Sequence, residues 1–110
     1  SFKVALRGIV YLFLYHRNMR IMLLMGIAAL LLGFYLNLKG IELIALCIAV
    51  TLVFMAEIFN TSVELMMDAI TEKYHTKIRL VKDIAAGIVV IACMNAAVIG
   101  YILFIRRFFK

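Results

Sequence analysis

The stretch 41–71 reads IELIALCIAVTLVFMAEIFNTSVELMMDAIT and decides the fold. Its first half is apolar and is interrupted near its start only by Glu42. It then continues without a helix breaker into a polar sequence that begins at Glu57. The chain contains no proline, so nothing forces a helix to end here. The pattern predicts one long helix whose first half lies in a membrane and whose second half emerges from it.

Two further apolar runs flank this helix. The run 21–38 has Asn37 as its only strongly polar residue, and the run 84–105 has no charge and only Asn95. Roughly 20 apolar residues are needed to cross about 30 Å of hydrocarbon. We therefore assign membrane spans to 20–38, 41–71 and 83–105, with a tight turn at 39–40 and a polar loop over 72–82. Gly26, Gly33 and Gly40 recur every seven residues, which permits close helix packing but is also compatible with chance.

The first eighteen residues form a separate amphipathic segment. Apolar residues recur in it at helical spacing: Phe2, Leu6, Ile9 and Phe13. Lys3 and Arg7 lie on another face. This pattern predicts a helix over 1–18 that lies on the membrane surface, or alternatively an early start of the first span. The predicted fold class is an all-α integral membrane protein with three transmembrane helices and one domain.

The composition agrees with a membrane protein. The 110 residues are 67% hydrophobic and 16% charged, with a mean hydropathy of +1.12. The net charge of +6 comes from basic residues that cluster between the apolar runs. Such clusters suit anionic lipid headgroups and nucleotide phosphates. A nucleic-acid partner is excluded because no soluble face is left to carry it.

The positive residues also predict an orientation in the membrane. Basic residues flank the first span and occupy the second connection: Lys3, Arg7, Arg17, Arg20, Lys73, Lys77, Arg79 and Lys82. With three spans these two regions lie on one side, which the positive-inside rule makes cytoplasmic. The basic residues after the last span, among them Arg106, run against this assignment.

A polar stripe follows the apolar half of the long helix. At about 100° per residue, the stripe falls within roughly a 100° arc, and its members are Glu57, Asn60, Thr61, Glu64 and Asp68. Stacked carboxylates repel one another unless a cation or a proton relieves them. The stripe therefore indicates a functional site, although polar contacts between helices or a carboxylate paired with Arg20 or Lys82 would be a structural alternative.

The stripe contains parts that phosphoryl transfer requires. Glu57 is its deepest member and a candidate general base for a hydroxyl held at the membrane interface. Glu64 and Asp68 lie further out, where a hydrated Mg²⁺ with nucleotide phosphates could sit. Lys82 is placed to hold phosphate charge. The chain has neither GxxxxGK[ST] nor GxGxxG, so an ordinary soluble kinase fold is excluded.

The chain resembles the prokaryotic diacylglycerol kinase family. The sequences EIFNTSVELMMD at 57–68, YH at 74–75 and KDIAA at 82–86 match the family's E-[IL]-x-N-[ST]-[AS]-x-E-x-x-x-D, Y-H and K-D-x-[AG]-[AS]. Near the start, FKVALRG at 2–8 and RNMRI at 17–21 resemble F-x-x-A-x-x-G and E-R-N-x-R-I-H. The resemblance covers nearly the whole chain.

This resemblance implies a homotrimer in the plasma membrane of a prokaryote. Active sites shared between subunits would transfer the ATP γ-phosphate, with Mg²⁺, to a lipid hydroxyl at the cytoplasmic face. RNMRI and the sequence DIAAG at 83–87 resemble the branch that acts on undecaprenol. Diacylglycerol is the alternative acceptor.

The resemblance also implies roles for individual residues. Glu57 matches the proton acceptor, Glu64 matches a metal and ATP ligand, and Asn60 and Asp68 match other polar residues of the catalytic stripe. Matches to nucleotide-contacting residues are Lys73, Tyr74, His75, Lys82 and Asp83. Matches to lipid-contacting residues are Asn18, Met19, Arg20, Ile21, Met22 and Ala86.

Three residues depart from the family pattern, and one of them is Lys73, which replaces a common glutamate. His16 stands where the family has a second metal-binding glutamate, and Met22 replaces a histidine. A neutral imidazole is a poor ligand for Mg²⁺. His16 is therefore either a weak metal ligand or an interfacial residue without that role. A catalytically impaired, lipid-binding relative stays open as an alternative, as does a small proton-coupled transporter, although transporters of that type usually need four spans.

Overall fold

The computed structural model describes residues 1–70 and 75–106, with only the backbone of His75. In these ranges the chain is helical and contains no strand. Its elements are α1 (Phe2–Tyr15), α2 (Arg17–Tyr35), α3 (Ile41–Asp68) and α4 (His75–Gly100), which continues as a π-helical turn over Tyr101–Ile105. The last three helices are long and apolar enough to cross a membrane. The predicted all-α class, with three such helices after an amphipathic first helix, is confirmed.

The segment 75–82 differs from the prediction of a polar loop over 72–82, whereas 72–74 lie outside the described residues. It was expected to form a loop, but the chain is helical from His75 onward. Thr76–Val81 contains no glycine or proline, and Lys77 and Arg79 are good helix formers. Polarity alone therefore did not indicate a loop here. The basic residues extend the third spanning helix beyond its apolar part. The long helix α3 ends at Asp68, before the predicted end of the span 41–71.

A bend separates α1 from α2, within the region predicted as one helix over 1–18. His16 has an extended backbone (φ −121°, ψ 113°) between the two helices. The Arg20 guanidinium crosses the bend, and its Nη1 donates hydrogen bonds to the carbonyl oxygens of Leu14 (2.9 Å) and Phe13 (3.2 Å). The last carbonyls of a helix lack partners within that helix, and its carboxyl end attracts positive charge. Arg20 thus satisfies both needs at the end of α1.

Close packing of α2 on α3 depends on two glycines. Gly26 and Gly33 are buried. A Cβ atom at Gly33 would lie 2.7 Å from Leu46 Cδ2, and one at Gly26 would lie 2.9 Å from Phe54 Cε2. A Cβ at either position would have to push the Leu46 or Phe54 side chain aside, so two of the three regularly spaced glycines have a packing role. The third, Gly40, instead lies in the turn before α3 with φ 61°.

α3 and α4 run antiparallel, because Leu46 near the start of α3 packs with Leu103 beyond the end of α4. Alanines are buried along both helices: Ala49 and Ala56 on α3, and Ala85 and Ala92 on α4. Small side chains bring the two backbones close together. Most large apolar side chains nevertheless face outward, which suits a surface covered by lipid or by other subunits.

Candidate active site

The polar stripe lies on a continuous stretch of α3. Glu57, Thr61 and Glu64 are separated by about one helical turn each, so they share a face. Thr61 is the buried polar side chain among the described residues. The Asn60 side-chain amide, on the neighbouring part of the stripe, donates a hydrogen bond to Glu64 Oε1 (3.3 Å). This contact orients the Glu64 carboxylate from within the same helix.

Glu57, Thr61 and Glu64 form one wall of a polar cleft of about 230 Å³. The bend between α1 and α2 forms the other wall, which consists of Tyr15, His16, Arg17 and Asn18. His16 and Asn18, both predicted to belong to the site, therefore do meet the carboxylates of α3. The cleft lies at the end of the bundle where α1 meets α2 and where α3 ends. It presents two carboxylates, an imidazole and an amide to the same space.

Aromatic rings cluster at the bend that lines this cleft. The rings of Tyr11 and Tyr15 have centroids 4.8 Å apart, and the His16 ring lies 6.1 Å from that of Tyr11. Such tilted pairs are favourable and limit the rotation of the rings. The imidazole of His16 is consequently held between the aromatic cluster and the cleft.

Asp68 does not line this cleft. Its carboxylate accepts a hydrogen bond from Lys82 Nζ at 2.8 Å, which joins the end of α3 to the start of α4. The stripe was also considered as a purely structural feature in which a carboxylate pairs with Arg20 or Lys82. For Asp68, the pairing with Lys82 is present. Arg20, the other candidate partner, binds backbone carbonyls instead. The amine of Lys82 stays partly exposed, so an anion could reach it from solvent.

The described residues offer few metal ligands. Within 1–70 and 75–106, no three side chains of His, Cys, Asp or Glu are grouped closely enough to hold an ion. Glu64 and His16 face the same cleft but do not complete a site by themselves. Mg²⁺ is commonly bound by one or two carboxylates together with nucleotide phosphates. Glu64 fits that mode, whereas the imidazole of His16 does not.

The residues expected to contact nucleotide or lipid point in different directions. Lys73, Tyr74 and the His75 side chain lie outside the described residues. Asp83 and Ala86 are exposed on α4, and Ile21 is exposed on α2. Met22 lines an apolar groove between the spanning helices. Met19 is completely buried, so its side chain offers no surface to a lipid in this conformation.

An apolar groove between α3 and α4 was not predicted from the sequence. It has a volume of about 510 Å³, and among its lining residues are Ala56 and Phe59 on α3 and Ile88 and Asn95 on α4. The cleft residues Tyr15 and Arg17 were also missed. Arg17 belongs to the RNMRI sequence at 17–21 but was assigned no role in the site, and no motif marks Tyr15. Both residues reach the cleft only through the bend at His16. The extended backbone of a single residue leaves no signal in an amphipathic pattern.

Comparison with known proteins identifies relatives over nearly the whole chain. The family profile described as prokaryotic diacylglycerol kinase matches residues 3–104. A protein of Synechocystis named diacylglycerol kinase is 34% identical over 101 residues, which cover 91% of this chain and 58% of that protein. A Bacillus subtilis protein named undecaprenol kinase is 32% identical over 107 residues, covering 97% of this chain and 87% of that protein. The chain thus spans a little over half of the first relative and most of the second.

Proposed function

Because the chain belongs to the prokaryotic diacylglycerol kinase family, we propose that it transfers the γ-phosphate of ATP to the hydroxyl of a membrane lipid. The observation that carries this proposal is the cleft in which Glu57 and Glu64 face the bend at His16. The cleft lies where the apolar part of a helix long enough to cross the membrane ends. A lipid hydroxyl and a water-soluble nucleotide could meet at such a position.

Glu57 acts as the general base in this proposal. The lipid hydroxyl oxygen attacks the γ-phosphorus and forms the new phosphorus–oxygen bond. The bond from that phosphorus to the bridging oxygen breaks, and ADP leaves. The hydroxyl proton passes to the Glu57 carboxylate, which lies nearer than Glu64 to the apolar half of α3. Most of the rate enhancement would come from positioning and from stabilisation of phosphate charge.

We propose that the nucleotide binds at the part of the site that contains Glu64 and Lys82. Lys82 would contact phosphate oxygens, and Glu64, oriented by Asn60, would bind the Mg²⁺ that accompanies ATP. When bound there, the ion would supply positive charge to offset that of the transferred phosphoryl group. The other proposed nucleotide contacts are Lys73, Tyr74, His75 and Asp83. Asp68 acts on this group through its ion pair with Lys82.

Undecaprenol is the acceptor we propose, with diacylglycerol as the second candidate. The relatives carry both names, so a measurement has to decide between them. Proposed lipid contacts are Asn18, Ile21, Met22 and Ala86. Met19 and Arg20 are not among them, because Met19 is buried and Arg20 binds the end of α1.

A homotrimer at the cytoplasmic face of the plasma membrane completes the proposal. The single chain exposes most of its large apolar residues and presents few metal ligands in its cleft. A neighbouring subunit could cover the apolar surface and add ligands to the site. The basic residues near α1 and the start of α4 support the cytoplasmic side for the cleft. His16 favours one alternative, a relative that binds lipid with impaired catalysis.

Transfer of labelled phosphate tests the proposed function. The protein in mixed micelles is given γ-labelled ATP and Mg²⁺, with undecaprenol in one reaction and diacylglycerol in another. Label in a lipid product supports a lipid kinase, and the ratio of the two initial rates identifies the preferred acceptor. The His16→Glu variant is tested in the same two reactions. If neither protein labels either lipid, the kinase proposal is contradicted, and the alternative of lipid binding without catalysis remains.

A further inference from the structure

Arg20 makes a contact that spans the bend between the first two helices. Its Nη1 bonds to the carbonyl oxygens of residues six and seven positions earlier, at 2.9 Å and 3.2 Å. These distances are those of good hydrogen bonds, and a charged donor makes them stronger than neutral ones. One guanidinium nitrogen thus fixes the end of α1 relative to the first turn of α2.

The rest of α1 is held to the protein by few contacts. Leu12 is its buried side chain, and the Phe13 ring meets the Phe54 ring of α3 edge-on at 6.5 Å. The remaining large apolar residues of α1 are mostly exposed. Between α1 and α3 there is also an open groove, lined on its two sides by Gly8 and Ser62 among others. The angle of α1 therefore depends strongly on the Arg20 contact.

The same bend supplies one wall of the acidic cleft. Tyr15 and His16 immediately follow the carbonyls that Arg20 holds, and they face Glu57 and Glu64. A change in the angle of α1 would move this wall relative to the carboxylates. Displacements of about 1 Å can lower the rate of an oriented reaction by about 100-fold.

We propose that Arg20 is a positioning residue, which holds the wall of the cleft against Glu57 and Glu64 by binding the end of α1. This inference rests on the proposed kinase function for its kinetic consequences. It gives Arg20 a role that does not involve contact with the lipid. Lysine would replace it only in part, because one ammonium lacks the planar donor geometry of the guanidinium.

Steady-state kinetics separate positioning from lipid binding. In Arg20→Gln we expect kcat to fall by about 10-fold or more, with the KM for the lipid changed by less than about threefold. Arg20→Lys should recover part of kcat. Arg106→Gln is the matched control, since Arg106 is an exposed arginine at the other end of the bundle. A raised lipid KM with an unchanged kcat would overturn the proposal and make Arg20 a lipid contact.

Cross-linking tests the geometry independently of activity. Gly8→Cys and Ser62→Cys introduce thiols on either side of the groove between α1 and α3, where a Cβ at Gly8 meets no other atom within 4 Å. The free cysteines Cys47 and Cys93 are first changed to alanine. We expect a short bismaleimide to bridge the two thiols efficiently with Arg20 present and several-fold less efficiently in Arg20→Gln. An equal yield in both proteins would overturn the proposal even if no kinase activity were detected.

The bridge should also restore function. A cross-linker length is chosen that leaves the activity of the protein with Arg20 intact. The same bridge in Arg20→Gln then fixes α1 by another route, so most of the lost kcat should return. If the bridged Arg20→Gln protein stays as slow as the unbridged one, Arg20 acts by some means other than the placement of α1.

Discussion

Gly33→Ala tests the close contact between α2 and α3 that places the bend beside the cleft. The added Cβ would lie 2.7 Å from Leu46 Cδ2 and 3.3 Å from Leu38 Cδ1. Carbon atoms normally pack at about 3.5–4.0 Å, so the nearer contact is too short by roughly 1 Å. Leu46 and Leu38 are 3% and 2% exposed and belong to the core cluster with Leu103, so neither moves away freely.

The magnitude follows from two opposing effects. Overpacking of a tight core costs about 1–3 kcal/mol. Alanine in place of glycine within a helix returns about 0.5–1 kcal/mol. We therefore expect Gly33→Ala to lower the free energy of unfolding by about 1 kcal/mol, within a range of about 0–2.5 kcal/mol. Gly87→Ala is the matched control on α4, where a Cβ meets nothing within 4 Å, and it should be neutral or stabilising.

Reversible unfolding in mixed micelles, followed by circular dichroism as a denaturing detergent is added, measures both variants. The order of stability should be Gly87→Ala, then the unchanged protein, then Gly33→Ala. If Gly33→Ala were as stable as Gly87→Ala, the close approach of α2 to α3 would be refuted. The inference that packing of α2 on α3 places the bend beside the cleft would then be contradicted as well.

Three further predictions concern the site and the assembly. Asp68→Asn removes the partner that competes with phosphate for Lys82, so we expect nucleotide binding measured by equilibrium dialysis to tighten by less than about fivefold; a tenfold loss would instead make Asp68 a direct ligand. His16→Glu adds a carboxylate to the cleft and should lower the Mg²⁺ concentration needed for half-maximal ATP binding by several-fold. ATP binding is measured as Mg²⁺ is titrated in the absence of Ca²⁺, and an unchanged midpoint would contradict this prediction. Asn95 exposes an amide in the apolar groove between α3 and α4. If a neighbouring copy satisfies that amide, Asn95→Leu should weaken subunit association in sedimentation equilibrium; unchanged association would place Asn95 outside the interface.

The fold was predictable from the sequence because hydropathy and the lack of helix breakers act along the whole chain. Apolar runs of sufficient length determine three spanning helices in any arrangement of their partners. The start of α4 was not predictable in this way. Four of the seven residues from Thr76 to Lys82 are polar, and a mixture of polar and apolar residues is found both in loops and in helices that extend into water. Helix propensity would have been the better guide there.

The site was predictable only along a single helix. Spacing along α3 correctly grouped Glu57, Thr61 and Glu64, since about 100° per residue places them on one face. It could not separate Asp68, whose partner Lys82 comes from another helix. Nor could it show that Arg20 binds backbone carbonyls, because that contact exists only once His16 adopts an extended conformation. Contacts across a bend or between helices depend on tertiary structure that no periodicity encodes.

The proposed role of Glu57 as the proton acceptor can be tested most directly. Transfer of label from γ-labelled ATP to undecaprenol is measured for the unchanged protein, for Glu57→Gln and for Glu42→Gln, which makes the same change near the other end of α3. We predict that Glu57→Gln loses at least about 100-fold in kcat, within the range typical of general-base catalysis, while ATP still binds and Glu42→Gln stays active. Equal rates in Glu57→Gln and in the unchanged protein would contradict the assignment of this cleft as the catalytic site.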